Sequence, residues 1–526
     1  MISVRLKTRA RAKRASFGCF VIAFASLAVV GCGGSGPKST KQTVAAKSES
    51  GDKAPKITPS ANPKRLSTPL NKPAEQPIAA PPLSSGTPPL PPSRNEKKEG
   101  TLTDLVNQAT AAEFRLPEID EAKVAAAGIR KLSGKHLTIY TDLPADPAVD
   151  ELPKVFDLAL PQWTRYFELD DKTADDWKVN GYLMKDKEKF AEVGLLPDNL
   201  PPFLHGFQRG GEFWWYDQPG AFYRRELMLH EGTHAFMMRF LGGMGPPWYA
   251  EGMAEYLGTH KWEGGELTLG YNPRTKEEAP FWGRVKVIKE EYAASRGMLL
   301  PDIFRYDAHA HLKTEPYGWC WGAALFLDNH PLTQKAFREL RLKAGDRSID
   351  FSENLFKELQ PNWPAIQEDW QLFIVNLDYG YDVARGAVVR KTDVAPLPAA
   401  GATVTIAADR GWQSSGFAVE AGKTYKITAS GRYQVAKEPQ PWPCEPGGIT
   451  IHYHRGRPLG MLLAAVGDVT FDKDTITPLA NPTAVGTLSE ITPVIAGTLY
   501  LSINEGAAGL GDNEGSVTVQ IQLKDK

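Results

Sequence analysis

Alternating apolar and polar residues predict a folded region that begins near residue 101. Residues 136–141 and 179–184 have the pattern of β-strands, and the apolar positions of residues 155–167 recur every three or four residues, as on an amphipathic helix. Residues 210–216 predict one strand of a hairpin, and residues 222–241 predict a helix that stops at two glycines. Strands and helices therefore follow one another in a mixed order.

A second helix and a long helical region come next. Pro246 and Pro247 favour a helix start, and the helical pattern continues to about Gly258. A hairpin is predicted over residues 259–271, and the pattern of residues 280–385 is largely helical.

The pattern changes after about residue 393. The segments that follow are short, alternate between apolar and polar residues and are separated by turn-forming residues: 403–407, 423–430, 448–454, 498–503 and 516–523. This spacing is typical of an all-β sandwich. We therefore predict an α+β domain over residues 101–393 and an all-β sandwich over residues 394–526.

Residues 1–32 have the layout of an export signal. Six basic residues and no acidic residue occur within the first 14 positions, and an apolar run, too short for a typical membrane span, covers residues 17–30. The run ends in a Val-Val-Gly-Cys sequence that resembles a bacterial lipobox, in which Cys32 would be acylated and become the first mature residue. Cleavage of an ordinary signal peptide nearby is the alternative. We therefore expect a cell-envelope protein that meets the membrane, on its periplasmic or outer face, only through a lipid anchor.

Residues 33–100 predict a disordered linker. They contain recurrent prolines and no aromatic residue, so they cannot bury enough apolar surface to offset the entropy lost on ordering. Such a linker would hold the folded region away from the anchored membrane.

Charge and cysteine content exclude two classes of protein. The chain has 61 basic and 62 acidic residues, and removal of the signal with its six basic residues leaves 55 against 62. This acidic balance argues against nucleic-acid binding. Beyond Cys32 only Cys320 and Cys444 are present, far apart in sequence, so neither a disulfide framework nor a cysteine metal site is implied.

The sequence His-Glu-Gly-Thr-His lies within the helix predicted over residues 222–241. His230 and His234 are four positions apart, so they lie one turn apart on one helix face and can ligate one metal ion, while Glu231 lies beside them. Catalytic Zn²⁺ takes three protein ligands and a water molecule. The two histidines leave this site one protein ligand short, and a helix with surface histidines is the alternative.

The segment Trp248 to Tyr256 reads Trp-Tyr-Ala-Glu-Gly-Met-Ala-Glu-Tyr. Together with the His-Glu-Gly-Thr-His motif it resembles the gluzincin metallopeptidases, and the overall likeness is to small peptidase MA-like domains. The resemblance implies a zincin-type fold with Glu251 as the third zinc ligand. Sixteen residues separate His234 from Glu251, slightly fewer than in the aminopeptidase-like branch of the family. The connection over residues 242–247 can span up to about 20 Å, which is enough for the helix to return.

The resemblance also implies a role for each residue. Zinc held by His230, His234 and Glu251 lowers the pKa of its bound water and polarises a substrate carbonyl, and Glu231 passes the water's proton to the leaving amine. Glu255 lies one helical turn beyond Glu251. It either orients a zinc-bound histidine without itself binding the metal or has an ordinary helix-surface or ion-pair role.

Two further features of the family bear on the substrate. Pro316-Tyr317 heads an apolar segment and is similar to the family's oxyanion-binding sequence, which implies that Tyr317 donates to the developing oxyanion; a core tyrosine is the alternative. The family's substrate-pairing strand corresponds to residues 210–216, with a buried core strand as the alternative. The Gly-x-Met-Glu-Asn motif of the aminopeptidases is absent, so exopeptidase activity is not supported.

The C-terminal segments resemble the calcium-dependent, galactose-specific lectin sandwich of the PA-I type, which implies a jelly-roll or galactose-binding-like fold for this domain. The likeness rests on Gly411 to Gly416, on short glycine-containing turns, and on the stretch from Ile503 to Ser516. It implies Glu505, Asp512 and Asn513 as ligands of Ca²⁺, with a plain turn that binds no metal as the alternative. The histidine and glutamine that contact sugar in that family have no counterpart near residues 444–448, which argues against galactose binding.

We therefore expect an exported, lipid-anchored zinc metallopeptidase that acts on a protein or peptide. Its sandwich would dock it to a carbohydrate, a partner or its own catalytic domain. The alternative is a catalytically inactive surface lipoprotein whose sandwich binds polysaccharide or a protein partner. The presence of Glu231 favours the enzyme.

Overall fold

The computed structural model describes residues 114–307, 309, 313–467 and 476–524, all of which belong to one compact unit. The signal predicted over residues 1–32, with Cys32, and the linker predicted over residues 33–100 lie outside the described residues. Among the described residues, no helix combines the length and the hydrophobicity needed to cross a membrane.

The first part of the described chain mixes strands and helices. In chain order the elements are α1 (Glu121–Ala126), β1 (Arg130–Ser133), β2 (Leu137–Thr141), α2 (Pro147–Asp150), α3 (Leu152–Tyr166), β3 (Val179–Met184), α4 (Lys187–Glu192), β4 (Gly206–Arg209), β5 (Glu212–Tyr216), α5 (Ala221–Phe240), α6 (Pro247–Gly258), β6 (His260–Glu263) and β7 (Glu266–Leu269). The strands and helices predicted for this part from the apolar pattern are all present, within a few residues at their ends.

Strands β1 to β5 form one sheet in the order β1-β2-β3-β5-β4. The pairs β2–β3 and β3–β5 are parallel, and β1 and β4 close the two edges in antiparallel orientation. Every residue of β3 is buried, as expected for a central parallel strand with cores on both faces. The expectation that residues 210–216 pair with substrate is wrong, because β5 is hydrogen-bonded to β3 on one side and to β4 on the other. The alternative, a buried core strand, describes β5, and β4 and β1 are the strands whose outer edges no described strand covers.

Helices α5 and α6 pack against each other and α5 also packs against the sheet, while glycines permit close contacts with α3 and α9. A Cβ at Gly232 would lie 2.7 Å from Phe156, and one at Gly252 would lie 3.0 Å from the carbonyl oxygen of Cys320. Helix α5 ends where Gly242 takes a φ of 73°, a conformation that suits the residue after a helix C-terminus. The chain can therefore turn within a few residues and return as α6.

The next part of the chain is helical. It contains α7 (Arg284–Ala293), α8 (Leu300–Ile303), α9 (Glu315–Asn329), α10 (Gln334–Glu339), α11 (Ile349–Leu359), α12 (Trp363–Asn376) and α13 (Val383–Gly386), with single 3₁₀ turns at Leu340–Lys343 and Gln360–Asn362. Helix α9 packs against both α6 and α7, so it forms one wall around the two helices that follow the sheet.

The last part of the chain is a β-sandwich. Its strands are β8 (Ala395–Pro396), β9 (Ala402–Ala407), β10 (Gln413–Val419), β11 (Tyr425–Ser430), β12 (Tyr433–Gln434), β13 (Pro443–Cys444), β14 (Ile449–His454), β15 (Arg457–Leu459), β16 (Leu462–Gly467), β17 (Thr483–Ala484), β18 (Leu488–Ile491), β19 (Gly497–Ile503) and β20 (Ser516–Leu523), with 3₁₀ turns at Pro478–Ala480 and Leu510–Asp512. The sheets β17-β16-β19-β10-β8 and β18-β11-β20-β9 enclose one core. The architecture is therefore α+β followed by a β-sandwich.

A buried polar network joins the helical part to the sandwich. His330, which directly follows α9, contacts Asp369 on α12 at 2.8 Å, and Arg390 donates to Asp369 and Glu368 at 2.7 Å each. The hydroxyl of Thr477, which lies between β16 and β17, donates to Glu368 at 2.7 Å. An apolar cluster beside the network adds Leu372, Val388, Trp412, Leu463, Leu479 and Tyr500. The sandwich is thus packed onto the helical part.

Candidate metal and catalytic site

The two histidines of the His-Glu-Gly-Thr-His motif and Glu251 converge on one point between α5 and α6. The Nε2 atoms of His230 and His234 are 3.1 Å apart, and Oε2 of Glu251 lies 3.2 Å from the first and 3.5 Å from the second. Ligands held at 2.0–2.1 Å by a tetrahedral zinc ion lie about 3.3 Å from one another. The donor set and its spacing therefore fit a zinc ion, and the short return after Gly242 does not prevent the convergence.

The electrostatics of the three side chains reflect this crowding. Burial lowers the pKa of His230, but Glu251, Glu231 and Glu255 outweigh it and raise that pKa to about 10. Burial works to raise the pKa of Glu251, but His234 and His230 hold it well below its usual range. These pKa directions favour a protonated His230 beside an ionised Glu251, and a bound metal ion would take the place of that proton.

Glu231 lies directly beside this point and against the edge strand of the sheet. Its side chain is buried, and burial raises its pKa, against the opposing effect of His230 and His234. A Cβ added to Gly206, the first residue of β4, would overlap the Glu231 carboxylate. Gly206 is therefore part of the site, although no local pattern in the sequence indicates it.

Glu255 supports His230 from the side opposite the ligand point. Its Oε1 lies 3.5 Å from Nδ1 of His230, and its carboxylate accepts two hydrogen bonds from Arg284, at 2.7 and 2.8 Å. Glu255 thus faces a histidine and also makes an ion pair, and it is buried rather than on the helix surface. Arg284, at the start of α7, was not among the predicted site residues.

Glu226 is a second buried carboxylate near His230. Its donor atoms, those of His230 and those of Glu255 lie within 4.8 Å of one another, and neither oxygen of Glu226 has a hydrogen-bond partner among the described residues. Burial, followed by the charge of Glu255, raises the pKa of Glu226 to about 8. Glu226 lies one turn before His230 on α5, so the helical spacing that places the histidines also places this acid.

Tyr317 lies in the first turn of α9 and faces the ligand point. Its ring centre is 6.2 Å from that of His230, and the guanidinium of Arg284 lies 5.7 Å from its ring centre. Burial, followed by the charges of Glu251 and Glu231, raises its pKa above the usual range, so the phenol remains a proton donor at neutral pH. This position is compatible with the predicted contact to a substrate oxygen.

His205 and Tyr223 form a part of the cleft wall that the sequence did not indicate. Their ring centres are 6.3 Å apart, with His205 just before β4 and Tyr223 in the first turn of α5. Burial lowers the pKa of His205, and the charge of Arg284 adds to this effect. Burial raises the pKa of Tyr223 to about 12, against the nearby charge of Arg284. Both side chains therefore remain neutral near pH 7.

The three residues that resemble calcium ligands lie together in the sandwich only in part. The amide nitrogen of Asn513 donates to Glu505 at 2.6 Å and to the carbonyl of Ala408 at 2.9 Å. Asp512 instead accepts a long hydrogen bond of 3.4 Å from the backbone of Lys437. Burial raises the pKa of Glu505 to about 7. Calcium binding by this loop stays a prediction.

No protein-family model matches the chain, and no curated protein matches it either. Among solved structures, the chain is similar to the N-terminal domain of EclA, described as a PllA-like lectin, with 21% identity over 23% of this chain and 95% of that one and a TM-score of 0.18.

Two structures of IMPa also show similarity. The structure of IMPa from Pseudomonas aeruginosa in complex with an O-glycopeptide has 14% identity over 48% of this chain and 25% of that one, with a TM-score of 0.15. The structure of the IMPa metallopeptidase with T-antigen has 12% identity over 81% of this chain and 45% of that one, with a TM-score of 0.14. The chain thus matches less than half the length of either. Similarity at such TM-scores does not establish a shared fold, so the site is interpreted from its own geometry.

Proposed function

We propose that this chain is an exported, lipid-anchored zinc metallopeptidase of the gluzincin type, with its catalytic domain in residues 101–393. The observation that carries the proposal is the convergence of His230, His234 and Glu251 at 3.1–3.5 Å, with the Glu231 carboxylate beside them. A zinc ion bound there would polarise a carbonyl group and activate water. The buried Glu231 carboxylate, as a general base, distinguishes this site from one that only binds a metal ion.

The surrounding residues have the properties that peptide hydrolysis requires. Burial raises the pKa of Glu231, which makes its carboxylate a better proton acceptor that can then deliver the proton to a leaving amine. Tyr317 keeps its hydroxyl proton and would donate it in a hydrogen bond to the substrate oxygen as negative charge develops there.

The free edge of β4 would hold the substrate in an extended conformation. Backbone groups of an edge strand can pair with an added peptide strand, and no described strand occupies this edge. Gly206 at the start of β4 touches Glu231, so a peptide paired there would pass the general base. This strand replaces β5 as the candidate for substrate pairing.

Metal analysis and a comparison with Glu231→Gln test the proposal. The full-length protein and the variant are each analysed for zinc by mass spectrometry and incubated with two protein mixtures, one unfolded and unglycosylated and one O-glycosylated. We expect one zinc ion per chain in both proteins and cleavage by the wild type alone. Equal cleavage by both proteins, or a wild type that binds no zinc, would overturn the proposal.

Lipid anchoring is tested separately at Cys32. Acylation of this residue would retain the chain in the membrane fraction, whereas Cys32→Ser should release it and abolish labelling with radioactive palmitate. Cys320→Ser serves as the control. The Cys320 thiol is buried in α9 and should not be acylated, so this variant should be labelled as strongly as the wild type. Unchanged labelling in Cys32→Ser would exclude the anchor.

A further inference from the structure

Phe281 has an unusual combination of backbone and side-chain properties. Its φ is 68°, in the left-handed region that bulky residues rarely adopt, and 65% of its surface is exposed. A strained backbone that also leaves a large aromatic ring in water is unfavourable on both counts, and such positions concentrate where a ligand binds. The feature therefore calls for a contact beyond the folded chain itself.

The ring of Phe281 contacts the residue that precedes α5. It lies against Gly220, where an added Cβ would be 2.9 Å from the Phe281 ring. The next residue, Trp282, is almost fully buried and packs edge-on against Trp321 at 4.8 Å. The carbonyl of Trp282 also accepts a hydrogen bond from Arg284 at 3.3 Å. Phe281 is thus presented by the same segment that supports Glu255.

Other aromatic residues connect Phe281 with the metal site. Gly220 immediately precedes α5, and Tyr223 lies in the first turn of that helix, seven positions and so two turns before His230. The ring of Tyr223 is 6.3 Å from that of half-buried His205, which directly precedes the edge strand β4. Phe281, through its contact with Gly220, and Tyr223, through its contact with His205, therefore both lie at the N-terminal end of α5.

We propose that Phe281, Tyr223 and His205 form a substrate subsite that binds a large apolar side chain of the peptide. This inference rests on the proposed peptidase function and adds the class of residue that the site selects. A phenyl ring offers apolar surface and no hydrogen-bonding group, so it favours an apolar side chain over a sugar or a charge.

The length of the helix sets the distance of the subsite from the cleaved bond. Gly220 is ten positions before His230, which corresponds to about 15 Å along the helix axis. An extended peptide covers about 3.3 Å per residue, so the selected residue would lie about four or five positions from the cleaved bond.

The variant Phe281→Asn separates recognition from folding. Asparagine tolerates a positive φ, so the variant should fold with a thermal midpoint at or above that of the wild type while lacking the ring. Phe281→Leu keeps an apolar side chain and should retain part of the selectivity. Val494→Ala is the control, since Val494 is 93% exposed in the sandwich and far along the chain from the cleft.

The experiment compares cleavage positions and rates. Digests of reduced, carboxymethylated serum albumin are sequenced by mass spectrometry, and kcat/KM is then measured for two synthetic peptides that carry Phe or Ala at the enriched position. We expect wild type and Val494→Ala to prefer the Phe peptide by about tenfold or more, and Phe281→Asn to cleave both peptides at similar rates. Binding of the same fluorescent peptides to the metal-free proteins, measured by anisotropy, should follow the same order.

Two results would overturn the subsite. One is an unchanged Phe preference in Phe281→Asn, and the other is a wild-type digest with no apolar enrichment within about six residues of the cleaved bonds. Failure of the peptidase function would appear differently, as equal cleavage by wild type and Glu231→Gln. In that case equal peptide binding by wild type and Phe281→Asn would reject the subsite independently.

Discussion

Arg284 and Glu255 form a bidentate ion pair that is almost completely buried. Nε and Nη2 of the arginine donate to the two carboxylate oxygens at 2.7 and 2.8 Å. The same carboxylate lies 3.5 Å from Nδ1 of His230. Arg284 on α7 therefore fixes the group that faces a candidate zinc ligand on α5.

We expect Arg284→Lys to weaken zinc binding by about 10- to 100-fold, because lysine keeps the charge but cannot donate two parallel hydrogen bonds to Glu255. Competition with a chromophoric chelator measures the affinity. Arg338→Lys is a matched control, since Arg338 donates to buried Asp328 at 2.8 and 3.3 Å in a separate ion pair. Equal zinc affinity in wild type and Arg284→Lys would contradict the prediction.

Gly206→Ala should lower kcat by about 100-fold or more and leave zinc content unchanged, because the added Cβ would displace the Glu231 carboxylate, and general-base catalysis contributes on this scale. Steady-state kinetics and metal analysis check the two parts. In Gly467→Ala the added Cβ meets no atom of the described residues within 4 Å, so this sandwich variant controls for loss of a glycine. Wild-type kcat in Gly206→Ala would show that general-base catalysis by Glu231 does not depend on the close approach of Gly206 to its carboxylate.

Tyr317→Phe should reduce kcat by about 100-fold with little change in KM, because the hydroxyl would act only on charge that develops during the reaction. The comparison variant is Tyr256→Phe, which removes a buried hydroxyl that donates to Asp328 at 3.0 Å. That variant should lose about 1 kcal/mol of stability and keep its kcat. A Tyr317→Phe enzyme with wild-type kcat would assign Tyr317 to the core alone.

Ionisation of Glu226 should destabilise the metal-free protein as pH rises from about 5 to 8. Burial raises the pKa of Glu226 from 4.5 to about 8 in the folded state. At this position the unfolded chain therefore binds fewer protons in this window, so through this group a rise in pH favours unfolding. Glu226→Gln cannot ionise and should be the more stable protein at pH 8. Urea unfolding in EDTA at several pH values tests this, and parallel pH curves for the two proteins would refute it.

The sequence predicted the parts of the site that are local. His230, Glu231 and His234 occupy one helix, so their spacing alone places them together, and the resemblance over residues 248–256 identified the segment that contributes Glu251. The geometry brings these residues together as expected. Gly206, however, comes from a strand, and its closeness to Glu231 depends on sheet order, which the alternation of residues along one strand does not reveal.

The same limit explains the errors in the fold. The residues of β5 have the pattern of a strand, and they were predicted as one strand of a hairpin. Whether β5 is internal or at an edge depends on the position of the other strand, β4, which the pattern did not locate. In the sandwich, β10 was not predicted, because its Ser-Ser-Gly sequence and the shift in its pairing with β19 interrupt the alternation. β16 was also missed, because Leu462–Gly467 is a nearly continuous apolar run that lacks the alternation of the predicted strands.

The hydrogen bonds from Thr477 of the sandwich to Glu368 and Gln371 of α12 have a consequence for the position of the sandwich. Because these hydrogen bonds and the apolar cluster beside them are buried, separating the sandwich from the helices would break both and expose apolar surface to water. We therefore expect the sandwich to keep a fixed position relative to the helices. Any surface that the sandwich offers to a ligand is then held at a constant distance from His230 and His234. Under the proposed peptidase function, that distance would set how far from a recognised feature the substrate is cleaved.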